Sequence, residues 1–330
     1  MQQIRIPSTR RFIIIASILA ALFTACMQMH AAAPIKRSQA PGYYRIMIGS
    51  FEVTALCDGA IAVEKKLLTK ATEQELDALM APYAEGGAAT PSTTNAYLVN
   101  TGSKLVLIDA GAGTLFGPSF GYTLKNLRAA GYAPEDVDAV LITHLHPDHV
   151  GGIADSTGKA NFPNATVYVS KPESDFWLSE REDAESQDMK EMRALVKKNA
   201  SAYQASKKWI TCADGDQPVS GITALVKSGH TPGHASFLIA SDTASLLVIG
   251  DMIHNMPVQC ARPDVAIEYD TDQEKAVAVR QEAFQRAAAE HRIIAGMHLP
   301  FPGIGRLHAE SASKDRVSYR WIPVVFSPDL

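Results

Sequence analysis

The sequence contains little cysteine and no excess of positive charge. Four of its 330 residues are cysteine, and Cys57, Cys212 and Cys260 lie far apart in the chain. Without close spacing they do not describe a disulfide framework, and we interpret them as small buried apolar residues. The formal net charge is -4, with lysine and arginine scattered along the chain. Nucleic acid is therefore not expected as a partner.

Hydrophobic runs long enough to span a bilayer are also absent. The apolar stretch at residues 12–23 (FIIIASILAALF) follows Arg5, Arg10 and Arg11 and is too short to cross a bilayer as a helix. With the small residues that follow it, the stretch is typical of a secretory signal. We predict a signal peptide over residues 1–33 and a mature domain over residues 34–330. The mature protein is then periplasmic or secreted, with no stable membrane span.

The export route has two candidates at this level. Residues 9–14 (TRRFII) approximate a twin-arginine signal, which exports proteins already folded around a cofactor. The stretch LFTAC, which ends at Cys26, approximates a lipoprotein box, but Phe23 fits the first position of that box poorly. We favour soluble export over a lipoprotein anchor.

Two common catalytic patterns are not supported by the sequence. The one G-x-S-x-G match, GPSFG at residues 117–121, does not directly follow an apolar strand as a nucleophile elbow does, so a serine hydrolase is unsupported. The glycines of LVLIDAGAGTLFG follow the spacing G-x-G-x-x-x-G instead of the dinucleotide-binding fingerprint. The next strand ends in Thr143 and His144, where a dinucleotide-binding fold needs an acidic ribose ligand. We interpret these glycines as a turn that follows a strand.

Apolar patterning alternates between strands and helices along the mature chain. We predict a hairpin over residues 43–59, a helix over 66–83, a flexible loop over 85–93, a charged helical region over 171–208 and a long helix over 272–291. The strand over residues 137–143 (VDAVLIT) is apolar on both faces, which indicates burial inside the fold. No linker divides the chain. The pattern predicts a single α/β domain with sheets inside and helices outside.

The stretch ITHLHPDHVGG concentrates metal-ligating side chains. Three of the ten histidines and one aspartate lie between His144 and His149. Side chains alternate along a strand, so His144 and His146 point the same way. Pro147 then forces a turn that brings Asp148 and His149 round to the same place. Because such crowded polar groups are costly to desolvate without a cation, the stretch predicts a metal site.

The stretch HLHPDH resembles the H-x-H-x-D-H motif of the metallo-β-lactamase superfamily, and further motifs of that superfamily follow in order. SGHTPGH contains His230, VIGDMI contains Asp251 at a strand end, and AGMHLPFPGIG contains His298. LIDAGAG contains Asp109, which matches the aspartate that supports the metal ligands in that superfamily. The resemblance covers nearly the whole mature chain. It implies an αββα sandwich with the metals at one edge between the sheets.

The resemblance also implies a two-metal centre. One divalent ion is held by His144, His146 and His230, the other by Asp148, His149 and His298, and Asp251 bridges the two. Nitrogen and oxygen ligands fit zinc best, with manganese, iron or cobalt feasible. A hydroxide shared by the ions would attack a carbonyl or phosphoryl centre, with Asp251, Asp148 and His254 in catalytic roles. We expect His234, the second histidine of SGHTPGH, to be structural.

A narrower resemblance concerns the substrate. The stretches APGYYR, YLVNTGSKLVLID, DFWLS and HLPFPGIG are similar to the methyl parathion hydrolase and dihydrocoumarin hydrolase group of the superfamily. This implies a substrate pocket lined by Phe116, Trp177, His254, Ile267 and Tyr269. The organophosphate-hydrolysing members have an apolar residue where His254 stands. The histidine therefore favours hydrolysis of lactones or aryl esters.

Other functions stay open at this level. Organophosphate triester hydrolysis is the alternative within the class, and β-lactam hydrolysis rests on fold analogy alone. A di-iron redox enzyme would use the same ligand set, but the chain has no flavin-binding second domain. A non-catalytic envelope protein would have no need of a complete ligand set. The expected partner is a small ester or lactone, and a homodimer is compatible with the resemblance.

Overall fold

The structure is a computed structural model that describes residues 33, 35–83, 88–180, 186–313 and 316–329. Nearly all of the predicted signal peptide lies outside these residues, so its role stays a prediction. The described strands are β1 (Tyr43–Ile48), β2 (Phe51–Glu64), β3 (Leu68–Thr69), β4 (Ala89–Asn100), β5 (Leu105–Ile108), β6 (Ala139–Leu141), β7 (Thr166–Ser170), β8 (Trp209–Cys212), β9 (Ile222–Val226), β10 (Ala235–Ser241), β11 (Ala244–Val248), β12 (Ala266–Ile267), β13 (Ile293–Ala295), β14 (Ile304–Ser313) and β15 (Arg316–Pro323). The described α-helices are α1 (Glu73–Met80), α2 (Thr123–Ala129), α3 (Pro147–Val150), α4 (Lys171–Leu178), α5 (Gln187–Ala205), α6 (Met256–Ala261) and α7 (Gln273–Ala289).

The strands of the described chain form two large sheets and one small ribbon. The first sheet has the order β1-β2-β4-β5-β6-β7-β8, and the second has the order β15-β14-β13-β11-β10-β9. The ribbon pairs β12 with β3. From β5 to β8 the strands run parallel, as do β11 and β13. The carboxyl ends of parallel strands meet at one edge of each sheet, which is where side chains can converge on a ligand.

Apolar side chains explain how the layers are stacked. Strand β6 contributes Ala139 and Leu141 to the core between the two sheets. Its intervening residue, Val140, packs on the other face with Leu127 of α2 and Trp177 of α4. A strand buried on both faces must be apolar throughout, as the sequence indicates. On the outer face of the second sheet, α7 packs over β13 and β14, which completes an αββα sandwich.

The predicted flexible loop over residues 85–93 is wrong for its second half. Residues 84–87 lie outside the described residues, but β4 begins at Ala89 and is 12 residues long. It pairs along its whole length with β2, from Glu64 opposite Ala89 to Glu52 opposite Asn100. Backbone hydrogen bonds to this long partner outweigh the small and polar composition of the segment. Sequence composition therefore misses a strand whose partner is remote.

The predicted helix over residues 66–83 is shorter than expected. The structure begins that region with a 3-10 turn, Lys65–Leu67, and the short strand β3, and α1 starts only after Thr72. The Thr72 side chain accepts from the backbone of Glu75, and the Glu75 side chain accepts from the backbone of Thr72. This capping box is a strong local signal for a helix start.

The cysteines agree with their interpretation as apolar residues. Cys57, Cys212 and Cys260 are free thiols within the described residues. Burial raises the pKa of Cys212 to about 11 and that of Cys260 to about 12, so neither is a reactive thiolate at neutral pH.

No helix in the described part of the chain is both long and apolar enough to cross a bilayer.

Candidate metal centre

Seven predicted ligands converge at the edge of the sandwich where the two sheets meet. Strand β6 leads into the histidine motif, which turns through α3, and β11 leads to Asp251. His230 lies in the turn between β9 and β10, and His298 follows β13. Within the described residues, the His and Asp atoms able to share an ion form three overlapping groups: His144, His146, His230 and Asp251; Asp148, His149 and His298; and Asp251, His254 and His298.

The first triad consists of His144, His146 and His230. His144 Nε2 lies 3.0 Å from His146 Nδ1 and 3.2 Å from His230 Nε2, and the last two atoms lie 3.0 Å apart. Nitrogen ligands at the usual zinc distance of about 2.0–2.1 Å in a tetrahedral arrangement are about 3.3–3.4 Å apart. The spacing of the first triad is therefore close to that of three ligands of one small divalent ion.

The second triad consists of Asp148, His149 and His298. Asp148 Oδ2 lies 3.3 Å from His298 Nε2 and 3.5 Å from His149 Nε2. This is again the separation expected between ligands of one ion. The carboxylate of the second triad is partly open, since the Asp148 side chain is 21% exposed.

Asp251 lies between the two triads. Its Oδ2 is 3.5 Å from His144 Nε2 and 3.4 Å from His230 Nε2, both of the first triad. The same oxygen is 3.2 Å from both His149 Nε2 and His298 Nε2 of the second triad. A single carboxylate that faces both nitrogen sets has the position of a bridging ligand.

The hydrogen bonds and pKa values of the histidines show whether a metal ion fits the first triad. The Nδ1 atoms of His144 and His230 hydrogen-bond to Thr143 Oγ1 and Asp270 Oδ1, so their Nε2 lone pairs face each other. Burial lowers the pKa of His144 and of His146 well below the ordinary value, which leaves both rings neutral. Opposed lone pairs repel, and neutral imidazole is the form that binds metal. A cation is the natural partner for this triad.

The second triad also favours a cation. Against the lowering effect of burial, Asp251 raises the pKa of His298 to about 10. Burial also opposes charge on His149, but Asp251 and Asp148 raise its pKa well above the ordinary value. His149 Nε2 and Asp251 Oδ1 are buried without a hydrogen-bond partner in the described part of the chain. The carboxylates therefore favour protonated, positively charged His149 and His298, and a divalent ion can take the place of those protons.

Two aspartates orient ligand histidines from behind. Asp109 accepts from His149 Nδ1 at 2.8 Å and from Thr143 Oγ1 at 2.7 Å. Asp270 accepts from His230 Nδ1 at 2.9 Å. Each bond fixes the ring so that Nε2 points at the centre. Asp109 is predicted by its motif. Asp270 is not, because no local pattern marks it, although it is adjacent to the predicted pocket residue Tyr269.

Glu173 is a second residue that sequence reasoning missed. It is completely buried and accepts four hydrogen bonds: from the backbone of Leu145 and Gly233, from Thr231 Oγ1 and from Trp177 Nε1. Burial raises the pKa of Glu173, while these donors favour its charged form. The carboxylate thus ties the histidine motif to the turn that carries His230.

His234 occupies a structural position next to the ligands. Its Nε2 accepts the backbone N–H of Asp251 at 3.0 Å, so that nitrogen is not directed at the centre. Gly250, with φ at 58°, makes this approach feasible, because a Cβ there would lie 2.3 Å from His234 Nε2. The pair fixes the backbone that presents Asp251.

The predicted pocket residues lie at different depths. His254 Nε2 is 3.1 Å from Asp251 Oδ2, and its ring stacks on His298 at 5.1 Å. Trp177 is only 1% exposed and meets the His146 ring edge-on at 5.8 Å. The rest divide into exposed and buried positions: Tyr269 is 45% exposed and 5.8 Å from His254, Phe116 is 49% exposed, and Ile267 is fully buried. Their roles in substrate binding stay predictions.

Comparison with known proteins identifies the family. The profile of the metallo-β-lactamase superfamily matches residues 89–298. A crystal structure described as hydrolase AbOPH in the β-lactamase superfamily is 40% identical, with a TM-score of 0.82, and the match covers 88% of this chain and 100% of that one. The chain belongs to the metallo-β-lactamase superfamily, and the predicted αββα fold is confirmed.

Several relatives are lactonases. AidC, a dizinc quorum-quenching lactonase, is 28% identical with a TM-score of 0.79, over 87% of this chain and 98% of that one. The N-acyl homoserine lactonase AttM of Agrobacterium fabrum is 31% identical over 130 residues, 38% of this chain and 44% of AttM. YobT of Bacillus subtilis is 31% identical over 158 residues, 48% of this chain and 60% of YobT. The chain thus spans about half the length of these two curated relatives. These relatives and the His/Asp cluster class it with divalent-metal-dependent hydrolases.

Proposed function

We propose that this protein is a dinuclear zinc hydrolase that opens lactones or cleaves aryl esters. The observation that carries the proposal is the position of Asp251 Oδ2, within 3.5 Å of nitrogen atoms of both triads. When bound, a pair of divalent ions supplies Lewis acidity and hydroxide at neutral pH. The lactonases among the relatives support a cyclic ester as substrate.

The residues of this chain supply the remaining functions. His254 is placed to orient the Asp251 carboxylate, because its Nε2 lies 3.1 Å from Asp251 Oδ2. Tyr269, whose ring lies 5.8 Å from that of His254, offers exposed aromatic surface for the apolar part of the substrate, and Phe116 is a second exposed aromatic candidate. A planar lactone or aryl ester suits this combination better than a bulky phosphotriester.

A substrate panel tests the proposal. Purified protein is loaded with zinc, its metal content is measured, and turnover is compared for dihydrocoumarin, an N-acyl homoserine lactone, a phenyl ester, a paraoxon-type triester and a β-lactam. We expect lactones or the aryl ester to be turned over fastest. Faster turnover of the triester would reverse the order of the two candidate activities, and iron absorption in the protein as isolated would contradict a zinc enzyme.

His254 provides a sharper version of this test. Replacing it with leucine (His254→Leu) removes the hydrogen-bond donor and keeps a side chain of moderate size. We expect lactone turnover to fall by about tenfold or more, the effect of one lost hydrogen bond to the charged Asp251 carboxylate, with metal content unchanged. The exposed histidine of β14 gives the matched control, His308→Leu, which should leave turnover unchanged.

Export completes the proposal. We infer that residues 1–33 direct the protein out of the cytoplasm and are removed. Cell fractionation and N-terminal sequencing of the mature protein test this. A mature chain that begins near residue 33 in the periplasm or medium supports the inference, while a lipid-modified Cys26 would contradict soluble export.

A further inference from the structure

A cleft lies on the outer face of the second sheet, and no residue of either triad lines it. Its floor comes from neighbouring strands, with Leu225 opposite Ser236 and Leu238 opposite Leu247. Helix α7 forms the facing wall through Val279. The cleft has a volume of about 150 Å³. An engineered cavity of about this volume, roughly 150 Å³, takes up benzene, so the space suits a small apolar group.

The cleft exists because α7 covers only part of the sheet. Phe284 and Ala287 pack inward with Ile294 and Trp321, on the side of β13 and β14. Val279 and Ala283 border that cluster and are only partly buried. Leu225 and Leu238, on the outer faces of β9 and β10, are therefore only partly buried.

One polar group in the cleft has no partner among the described residues. Ser236 is 2% exposed, and its Oγ lines the cleft without a hydrogen bond to that part of the chain. A buried hydroxyl is unfavourable unless something bonds to it. The ligand that fits the cleft therefore carries an oxygen or nitrogen at this point of the floor.

Lys227 supplies the positive charge at the Ser236 end of the cleft. Among the other charged side chains that line it, Arg286 and Arg292 both donate to Glu290, and Glu282 stands on the α7 wall. Lys227 follows β9 and is exposed, so its ammonium group is accessible to an anion at this end.

Lys227 and Ser236 lie close enough to share one anionic group. Side chains alternate along a strand, so Lys227 continues the outer face of Leu225, and Ser236 is directly opposite Leu225. An anionic group at this end of the cleft can therefore contact both side chains. Leu238, Leu247 and the α7 wall leave the rest of it apolar.

The cleft is separate from the metal centre. A deeper cavity of about 10 Å³ is lined by His230, His234 and Asp251, and it shares Lys227, Met252 and Val279 with the cleft. That volume holds about one water molecule. An acyl chain in the cleft therefore cannot reach the metal ligands through it.

We propose that this cleft binds a medium-chain amphipathic monocarboxylate, with its carboxylate on Lys227 and Ser236 and its chain along Leu238 and Val279. The site goes beyond the proposed hydrolase activity and does not depend on it. Octanoate is the probe, added to the metal-loaded full chain and followed by isothermal titration calorimetry. We expect saturable binding of one octanoate per chain and binding of 1-octanol at least tenfold weaker, because the neutral alcohol lacks the charge that Lys227 pairs with.

Two variants test the location. Ala283→Trp fills the cleft from α7, and binding should be lost, while Ala278→Trp on the exposed side of the same helix is the matched control and should bind normally. Lys227→Met removes the charge at an exposed position, and the affinity should fall by about tenfold or more, as for one charge-assisted hydrogen bond.

Three results would overturn the proposal. The first is no saturable octanoate binding at millimolar concentration by the wild-type protein. The second is binding that both Ala283→Trp and Lys227→Met leave unchanged. The third is binding that disappears on metal removal, since the carboxylate would then occupy the metal centre. Thermal unfolding of each variant verifies that the fold is retained, and Lys227→Met gives the decisive result if the tryptophan variant unfolds.

Discussion

The first and second triads differ in ligand type and in how the ligands are held. The first consists of three histidines, of which His144 and His230 are held by side chains at Nδ1, at 3.1 Å and 2.9 Å. The second has two histidines and an aspartate; Asp109 holds His149, but His298 Nδ1 faces the backbone carbonyl of Thr93 at 3.3 Å. The third ligand of each triad, His146 or Asp148, is partly buried. We infer that an ion at the second triad exchanges more readily, because one of its rings is held by a longer bond to the backbone instead of by a side chain.

Asp251 is the point at which the two triads depend on each other, and its loss should have the largest effect. In Asp251→Ala the oxygen that faces both triads is removed, so both ions should bind more weakly. We expect lactone turnover to fall roughly a thousandfold, the scale of a two-metal contribution of several kcal/mol. Turnover assays and metal analysis measure this against the exposed control Asp175→Ala. Retention of one tightly bound ion with nearly normal turnover would contradict the bridging role.

The supporting aspartates give a direct comparison of the two triads. Asp270→Asn should weaken the ion of the first triad, and Asp109→Asn that of the second, each by about 10–100-fold. Competition with a chromogenic chelator separates the two binding steps. If both variants weakened the same step, the division into two triads would be wrong.

Glu173 should matter for the first triad and little for the second. Its carboxylate accepts from Leu145, between two first-triad ligands, and from Thr231, next to His230. In Glu173→Gln the amide NH₂ replaces an acceptor and faces a donor, which costs about 1–3 kcal/mol in a buried site. Urea unfolding measures the loss against the exposed control Glu180→Gln. Faster metal release confined to the second triad would contradict the assignment.

Phe116 should have the smallest effect and influence neither triad. It is 49% exposed and packs on Phe120 at 5.5 Å. We expect Phe116→Ala to raise the KM for aryl substrates by about twofold to fivefold, consistent with the loss of roughly 0.5–1 kcal/mol of aromatic contact, with metal content unchanged. Steady-state kinetics measure KM and kcat. A loss of bound metal would show that the loop after Asp109 supports the centre as well.

The sequence predicts ligands well because their information is local. His144, His146, Asp148 and His149 are neighbours in the chain, and their spacing on a strand and turn limits where they can point. His230, Asp251 and His298 are remote, but each lies in a motif that resembles one of the superfamily. The first half of the long strand β4 was missed for the opposite reason. Its polar residues pair with β2 far along the chain, and Ser92 and Thr93 bind the backbone of the segment that carries His298.

By itself the sequence determined the class of chemistry, because residue type and short spacing dictate which groups can share a divalent ion. It also determined the layered α/β fold, since two-sided apolar strands must lie between layers. Only the tertiary structure decided that Asp270 and Glu173 support the first triad, and that Ser236 and Lys227 line the same cleft on the outer face. Buried carboxylates and hydroxyls leave no periodic trace in a sequence, and their partners come from distant segments that only packing and strand register bring together.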